Sequence, residues 1–136
     1  MGKPDFTKSF LLGMDHFNAR EFWEAHEAWE TIWLVVESDV EQFLQGMIQI
    51  AAAYHHVQRG TYRGAVRLFA AGLGRLEAFS ADFCGVDRAG MELAARRDRE
   101  WLERASLAPA EPLEERKYPK LRAAAGAPIA PPSLQW

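Results

Sequence analysis

The residues with the clearest chemical potential lie close together in the sequence, at His26, Glu27 and Glu30. If this stretch is helical, His26 and Glu30 lie one turn apart on the same face, and both could bind one cation. Glu27 would then be a third ligand, or the base for a metal-bound water. The spacing differs from the His-Glu-x-x-His motif of zinc proteases. It therefore predicts a metal site or a general acid–base pair without deciding between them.

The aromatic residues around these three side chains indicate that they are buried. At about 100° per residue, a helix over residues 20–36 places all three on one arc with Trp23, Trp33 and Leu34. Because an unpaired buried carboxylate is very costly, we expect a cation, a metal or a proton to neutralise it. The alternative is a purely structural network, in which a cation such as Arg63 joins the helices.

A second group of polar side chains lies in the next predicted helix, over residues 40–59. Between residues 42 and 58 the chain has no Asp, Glu, Lys or Arg, but Gln45, Gln49 and His56 share one stripe with Gln42. Amides can hydrogen-bond to carboxylates or to a ligand. If the stripe faces the preceding helix, these residues line a substrate pocket with the three side chains above. If it faces solvent, it is an ordinary polar surface.

The spacing of apolar residues predicts an all-α fold, a bundle of about five helices over residues 1–105. Gly60 is well suited to end the third helix and Thr61 to cap the fourth, while the alternating charges after Arg96 predict a solvated face on the fifth. The predicted helices cover about 5–17, 20–36, 40–59, 61–79 and 87–104.

Residues 106–136 are predicted to form an extended tail, because six prolines exclude a long helix there. The tail would pack on the bundle or trail from it. Five apolar residues could attach it to the helices: Tyr118, Leu121, Ile129, Leu134 and Trp136.

The amino-acid composition limits which partners and which compartment are expected. The 136 residues are 49% hydrophobic and carry a net charge of −3, so neither nucleic acid nor an anionic membrane is an expected partner. Cys84 is the single cysteine, which favours a reducing compartment. With no secretory signal and no membrane span expected, we predict a cytoplasmic protein. A homodimer and a monomer are both compatible with the sequence.

Three segments together resemble a family of short bacterial and archaeal proteins known as domain of unknown function 309, over about residues 8–79. The first segment is Phe17-Asn18-x-x-x-Phe22-Trp23-Glu24-Ala25-His26-Glu27-x-Trp29-Glu30-x-x-Trp33. The second and third are Phe43-Leu44-Gln45-Gly46-x-Ile48-Gln49-x-Ala51-Ala52-Ala53 and Gly60-x-x-x-Gly64-Ala65. The resemblance implies a small helical bundle. Members are often labelled predicted metal-dependent hydrolases, which here implies His26, Glu27 and Glu30 as the metal residues.

Two functions remain open. In a metal-dependent hydrolase, His26, Glu27 and Glu30 would bind a divalent zinc, iron or manganese ion, with His26 and Glu27 catalytic. Gln45, Gln49 and His56 would bind the substrate. In the alternative, the protein is a non-catalytic helical module that binds a small molecule or a protein. The His/Glu cluster would then be a structural network of ion pairs and hydrogen bonds.

Overall fold

A computed structural model describes residues 6–36, 39–105 and 118–124, and these residues form five α-helices and one 3-10 turn. The helices are α1 (Thr7–Asn18), α2 (Phe22–Trp33), α3 (Asp39–Arg59), α4 (Tyr62–Leu76) and α5 (Arg88–Ala105), with the turn at Phe83–Gly85. Within these ranges the only β pairing is a single bridge between Val86 and Ala123. The predicted all-α bundle is confirmed.

The helix ends follow from local chemistry. Gly60 ends α3 in a left-handed conformation, with φ of +75°, as its position predicts. The carboxylate of Asp87 accepts a hydrogen bond from the backbone N–H of Gly90 at 2.9 Å, which caps α5. Thr61 precedes α4 but makes no side-chain cap there. Its hydroxyl instead lies 2.6 Å from Nδ1 of His56.

Each helix packs against the next in the chain, so α3 lies between α2 and α4. The backbones of α3 and α4 come close together where two glycines face each other. A Cβ on Gly72 would lie 2.9 Å from Cδ1 of Ile50 and 3.0 Å from the carbonyl oxygen of Gly46. The two helices run antiparallel, since Gly64 near the start of α4 lies against His56 near the end of α3. This pair fixes the centre of the fold.

The orientation of α2 differs from the predicted one. Its buried residues are Phe22, Ala25, Trp29 and Ile32. The indole N–H of Trp29 donates to the carbonyl oxygen of Phe10 at 3.1 Å, which ties this face of α2 to α1. The prediction that Trp23 and Leu34 are buried is wrong, because they are 46% and 66% exposed.

The charged face predicted for α5 is also interrupted. Asp98 is only 1% exposed and accepts a 2.5 Å hydrogen bond from the hydroxyl of Tyr54 in α3. The other carboxylate oxygen lies 3.2 Å from Nε of Arg97. The prediction that the charged residues of α5 are solvated is therefore wrong for Asp98, which joins α3 and α5 inside the bundle.

Part of the predicted tail packs on the bundle. Asn18 clamps the backbone of Leu121, accepting from its N–H at 2.7 Å and donating to its carbonyl at 3.0 Å. The ring of Tyr118 lies 5.5 Å from that of Phe22. These contacts join residues 118–124 to α1 and α2, whereas Ile129, Leu134 and Trp136 lie outside the described residues. None of the helices in the described ranges has the length and apolarity needed to cross a membrane.

Candidate functional site

His26 and Glu30 form a pair one turn apart on α2. Nε2 of His26 lies 3.0 Å from Oε2 of Glu30, and the two side chains are 18% and 41% exposed. A carboxylate can only accept a hydrogen bond, so Nε2 is the nitrogen that holds the hydrogen. In the neutral ring, Nδ1 of His26 is then a bare acceptor. It is buried, and no group in the described part of the chain hydrogen-bonds to it.

Aromatic residues lie beside this pair on α2. Trp23 stacks on His26 with ring centroids 4.6 Å apart, and its ring also lies 5.2 Å from that of His55 in α3. Trp33 is two helical turns after His26 on the same side of α2. Its indole N–H is also buried without a hydrogen-bond partner among the residues described. We call these five residues, Trp23, His26, Glu30, Trp33 and His55, the histidine face.

The electrostatics of the histidine face favour a neutral His55. Burial lowers the pKa of His55 from its ordinary value of 6.5, and the positive charge of Arg59 lowers it further. His56 and His26 act in the same direction, while Glu24 opposes them. His55 is therefore an uncharged ring near neutral pH.

The chain around the histidine face is acidic. No Lys or Arg occurs from residue 21 to residue 58, whereas seven carboxylates do. They are Glu21, Glu24, Glu27, Glu30, Glu37, Asp39 and Glu41. This stretch carries an excess of negative charge, and Arg59, which follows it, supplies the positive charge that acts on His55.

The structure brings together only part of the predicted site. Glu27 is exposed and lies outside the histidine pair, and Arg63 is exposed as well. Gln49 accepts a 3.2 Å hydrogen bond from Nε of Arg75 in α4, and His56 contacts Thr61. Two of the three predicted substrate residues are thus engaged on the α4 side of α3. Gln45 is half-buried.

The metal prediction has limited support from this geometry. No three His, Cys, Asp or Glu side chains converge as a metal-binding group within the described ranges. His26 and Glu30 are the only two of the predicted three metal residues that meet. The substrate roles of Gln45, Gln49 and His56 stay predictions.

Sequence reasoning missed Arg75. It lies three residues after Gly72 and eleven after Gly64, and both glycines contact α3. That spacing places Arg75 on the side of α4 that faces α3. The signal was therefore present, but it required knowing that the glycines mark the contact.

Comparison with known families supports the sequence resemblance. The family model described as Domain of unknown function (DUF309) matches residues 10–68. Residues 10–68 are therefore similar to this family. The DUF309 segment includes all of α2 and α3, and hence the whole histidine face. It ends within α4, before Arg75. No curated protein and no solved structure matches the chain.

Proposed function

We propose that the protein is a binding module for a small organic cation, and that the histidine face is its site. One observation supports this above the others. The bare Nδ1 of His26 lies in a ring that is itself oriented by Glu30, within residues 21–58, which contain seven carboxylates and no Lys or Arg.

The chemistry of the site suits an ammonium group. An ammonium has three donors and no acceptor, so it can donate to Nδ1 of His26, while the Glu30 carboxylate on the other side of the ring accepts from Nε2. A buried nitrogen without a partner costs about 1–3 kcal/mol, which such a ligand would recover. The ring of Trp23 would add a cation–π contact of about 0.5–1 kcal/mol. The free indole N–H of Trp33 would take an acceptor atom elsewhere on the ligand.

Access requires one side chain to move, because both unpartnered nitrogens are buried. Trp23 is the best candidate, since it stacks on His26 and is still 46% exposed. Exposed side chains change rotamer rapidly, so this opening would not limit binding. Ligand entry would replace the contact between Trp23 and His26 with contacts to the ligand.

An NMR titration tests the proposal with benzylamine as the probe and benzyl alcohol as its uncharged counterpart. We expect saturable shifts of the Trp23 and Trp33 indole signals with benzylamine, and at least about tenfold weaker binding of the alcohol. Glu30→Gln should weaken benzylamine binding, while Glu100→Gln, at an exposed position on α5, should not. Equal binding of both probes, or an unchanged affinity in Glu30→Gln, would refute the proposal.

A hydrolase is the second candidate function, and the lone pair on Nδ1 of His26 favours it as well. A carboxylate-oriented imidazole can take a proton from water, as general bases do. The described residues do not fit a site with three protein ligands, so we derive no metal step. Elemental analysis of wild type and His26→Ala, purified without chelator or nickel, tests the metal-dependent form. Stoichiometric metal that is lost in the variant supports it, and no metal in either protein contradicts it.

The proposal also includes the cellular compartment and the kind of partner. We propose a cytoplasmic protein with a small-molecule partner rather than a nucleic acid or a membrane, consistent with its single cysteine and its net charge of −3. Light scattering on the purified protein decides between a monomer and a homodimer.

A further inference from the structure

Arg75 is a half-buried cation held by neutral groups. Its Nε donates to Oε1 of Gln49 at 3.2 Å, and its Nη1 donates to Oε1 of Gln42. Among the residues that the structure describes, no carboxylate lies within ion-pair distance of Arg75. The guanidinium therefore keeps its full positive charge without a counter-charge in the contacts that hold it.

These contacts also orient the two amides. Because the oxygens of Gln42 and Gln49 accept from Arg75, their NH₂ groups remain available as donors. The guanidinium has further N–H groups beyond the two in use. The cluster thus offers several donors, one positive charge and few acceptors. An oxyanion has the complementary character, since it only accepts and is negatively charged.

The cluster lies next to the close contact between α3 and α4. Arg75 lies about one turn beyond Gly72, where α4 meets Gly46 of α3. Gln42 and Gln49 are two turns apart on α3 and contact the same guanidinium. An arginine positioned in this way loses less side-chain entropy when it binds, because its rotamer is already restricted.

We propose that Arg75, Gln42 and Gln49 form a binding site for a small oxyanion, either a carboxylate or a phosphate group. The planar guanidinium recognises such groups through parallel N–H···O bonds. This site lies on the α4 side of α3 and does not rest on the function proposed for the histidine face. If the cluster served only to join α3 to α4, its free donors would meet water alone.

NMR of the Arg75 Nε–H signal tests the proposal, with separate titrations of inorganic phosphate and sodium acetate at constant ionic strength. We expect a saturable shift with at least one of them, and the stronger binder identifies the preferred oxyanion. Arg75→Lys keeps the charge but loses the planar fork, so it should weaken binding about tenfold. Arg67→Lys, at an exposed position of the same helix, should leave binding unchanged.

Two results would overturn the site. One is the absence of a saturable shift with both anions in the wild-type protein, and the other is equal binding by wild type and Arg75→Lys. If Arg75→Lys fails to fold, Gln42→Leu replaces it, because Gln42 is exposed and its loss removes one amide donor. Unchanged affinity in Gln42→Leu would then count against the site.

Discussion

The hydroxyl of Tyr54 donates a 2.5 Å hydrogen bond to the buried carboxylate of Asp98, joining α3 to α5 across 44 residues of sequence. Tyr54→Phe removes the donor and leaves the carboxylate with one fewer partner. We expect the free energy of unfolding to fall by about 1–3 kcal/mol, measured by urea denaturation. Tyr62→Phe is the control, because Tyr62 packs against Trp101 through its ring. Equal losses in the two variants would contradict a special role for the Tyr54 bond.

The glycines of α4 give a prediction with an internal control. In Gly72→Ala, the new methyl group would lie 2.9–3.0 Å from Ile50 and from the backbone of Gly46, and backbone cannot easily move away. We expect a loss of about 1–3 kcal/mol in the free energy of unfolding. Gly74→Ala meets no atom within 4 Å and should instead gain about 0.5–1 kcal/mol from its helix propensity. Thermal or urea unfolding measures both, and a stabilised Gly72→Ala would show that α3 and α4 are less closely packed.

The clamp between Asn18 and Leu121 predicts the protease sensitivity of the tail. Asn18→Ala removes two hydrogen bonds to the backbone of Leu121, so residues 118–124 should detach more often. Trypsin should then cleave faster after the exposed Lys120, as followed by mass spectrometry. Asp15→Ala, at an exposed position of α1, should leave the rate unchanged. Similar cleavage rates in the two variants would mean that other contacts hold the segment.

The lowered pKa of His55 predicts a pH dependence of stability. Because the folded-state pKa lies below 6.5, the unfolded chain binds the proton more tightly. The neutral ring therefore contributes stability above pH 6.5, and this contribution is lost as the pH falls through the folded-state pKa. NMR titration of the His55 ring should give a midpoint below 6.5.

Arg59→Gln provides the control for that titration. Removing the positive charge should raise the midpoint of His55 without bringing it fully to 6.5, because burial is the larger cause. Arg67→Gln, on the exposed side of α4, should leave the midpoint in place. A midpoint at or above 6.5 in the wild type would contradict the burial of His55.

Much of the fold was predictable from periodicity, but the side of α2 that packs against the core was not. The aromatic residues of this helix spread over a wide arc, because Phe22, Trp29 and Trp33 lie within about 40° of one another and Trp23 lies about 80° beyond Trp33. Periodicity alone cannot decide which side is the core. The choice depends on α1, where Trp29 finds a hydrogen-bond acceptor in the carbonyl of Phe10.

For the candidate site too, the sequence predicts contacts within one helix but not contacts between helices. The spacing of His26 and Glu30 correctly predicted two side chains within reach of each other, since that contact is local to one helix. The partners of Gln49 and His56 depend on how α3 meets α4, which spacing within α3 does not contain. Asp98 was missed for a related reason, because only the packing of α5 on α3 reveals the hydroxyl that it meets.

The protonation of the two His26 ring nitrogens tests the central claim most directly. Long-range ¹H–¹⁵N correlation at a pH above the histidine range should show hydrogen on Nε2, facing Glu30, and a bare Nδ1. Saturating benzylamine should then shift the Nδ1 signal, because the ammonium donates to it. Hydrogen on Nδ1 in the free protein, or an Nδ1 signal that benzylamine leaves in place, would contradict a cation site at this histidine.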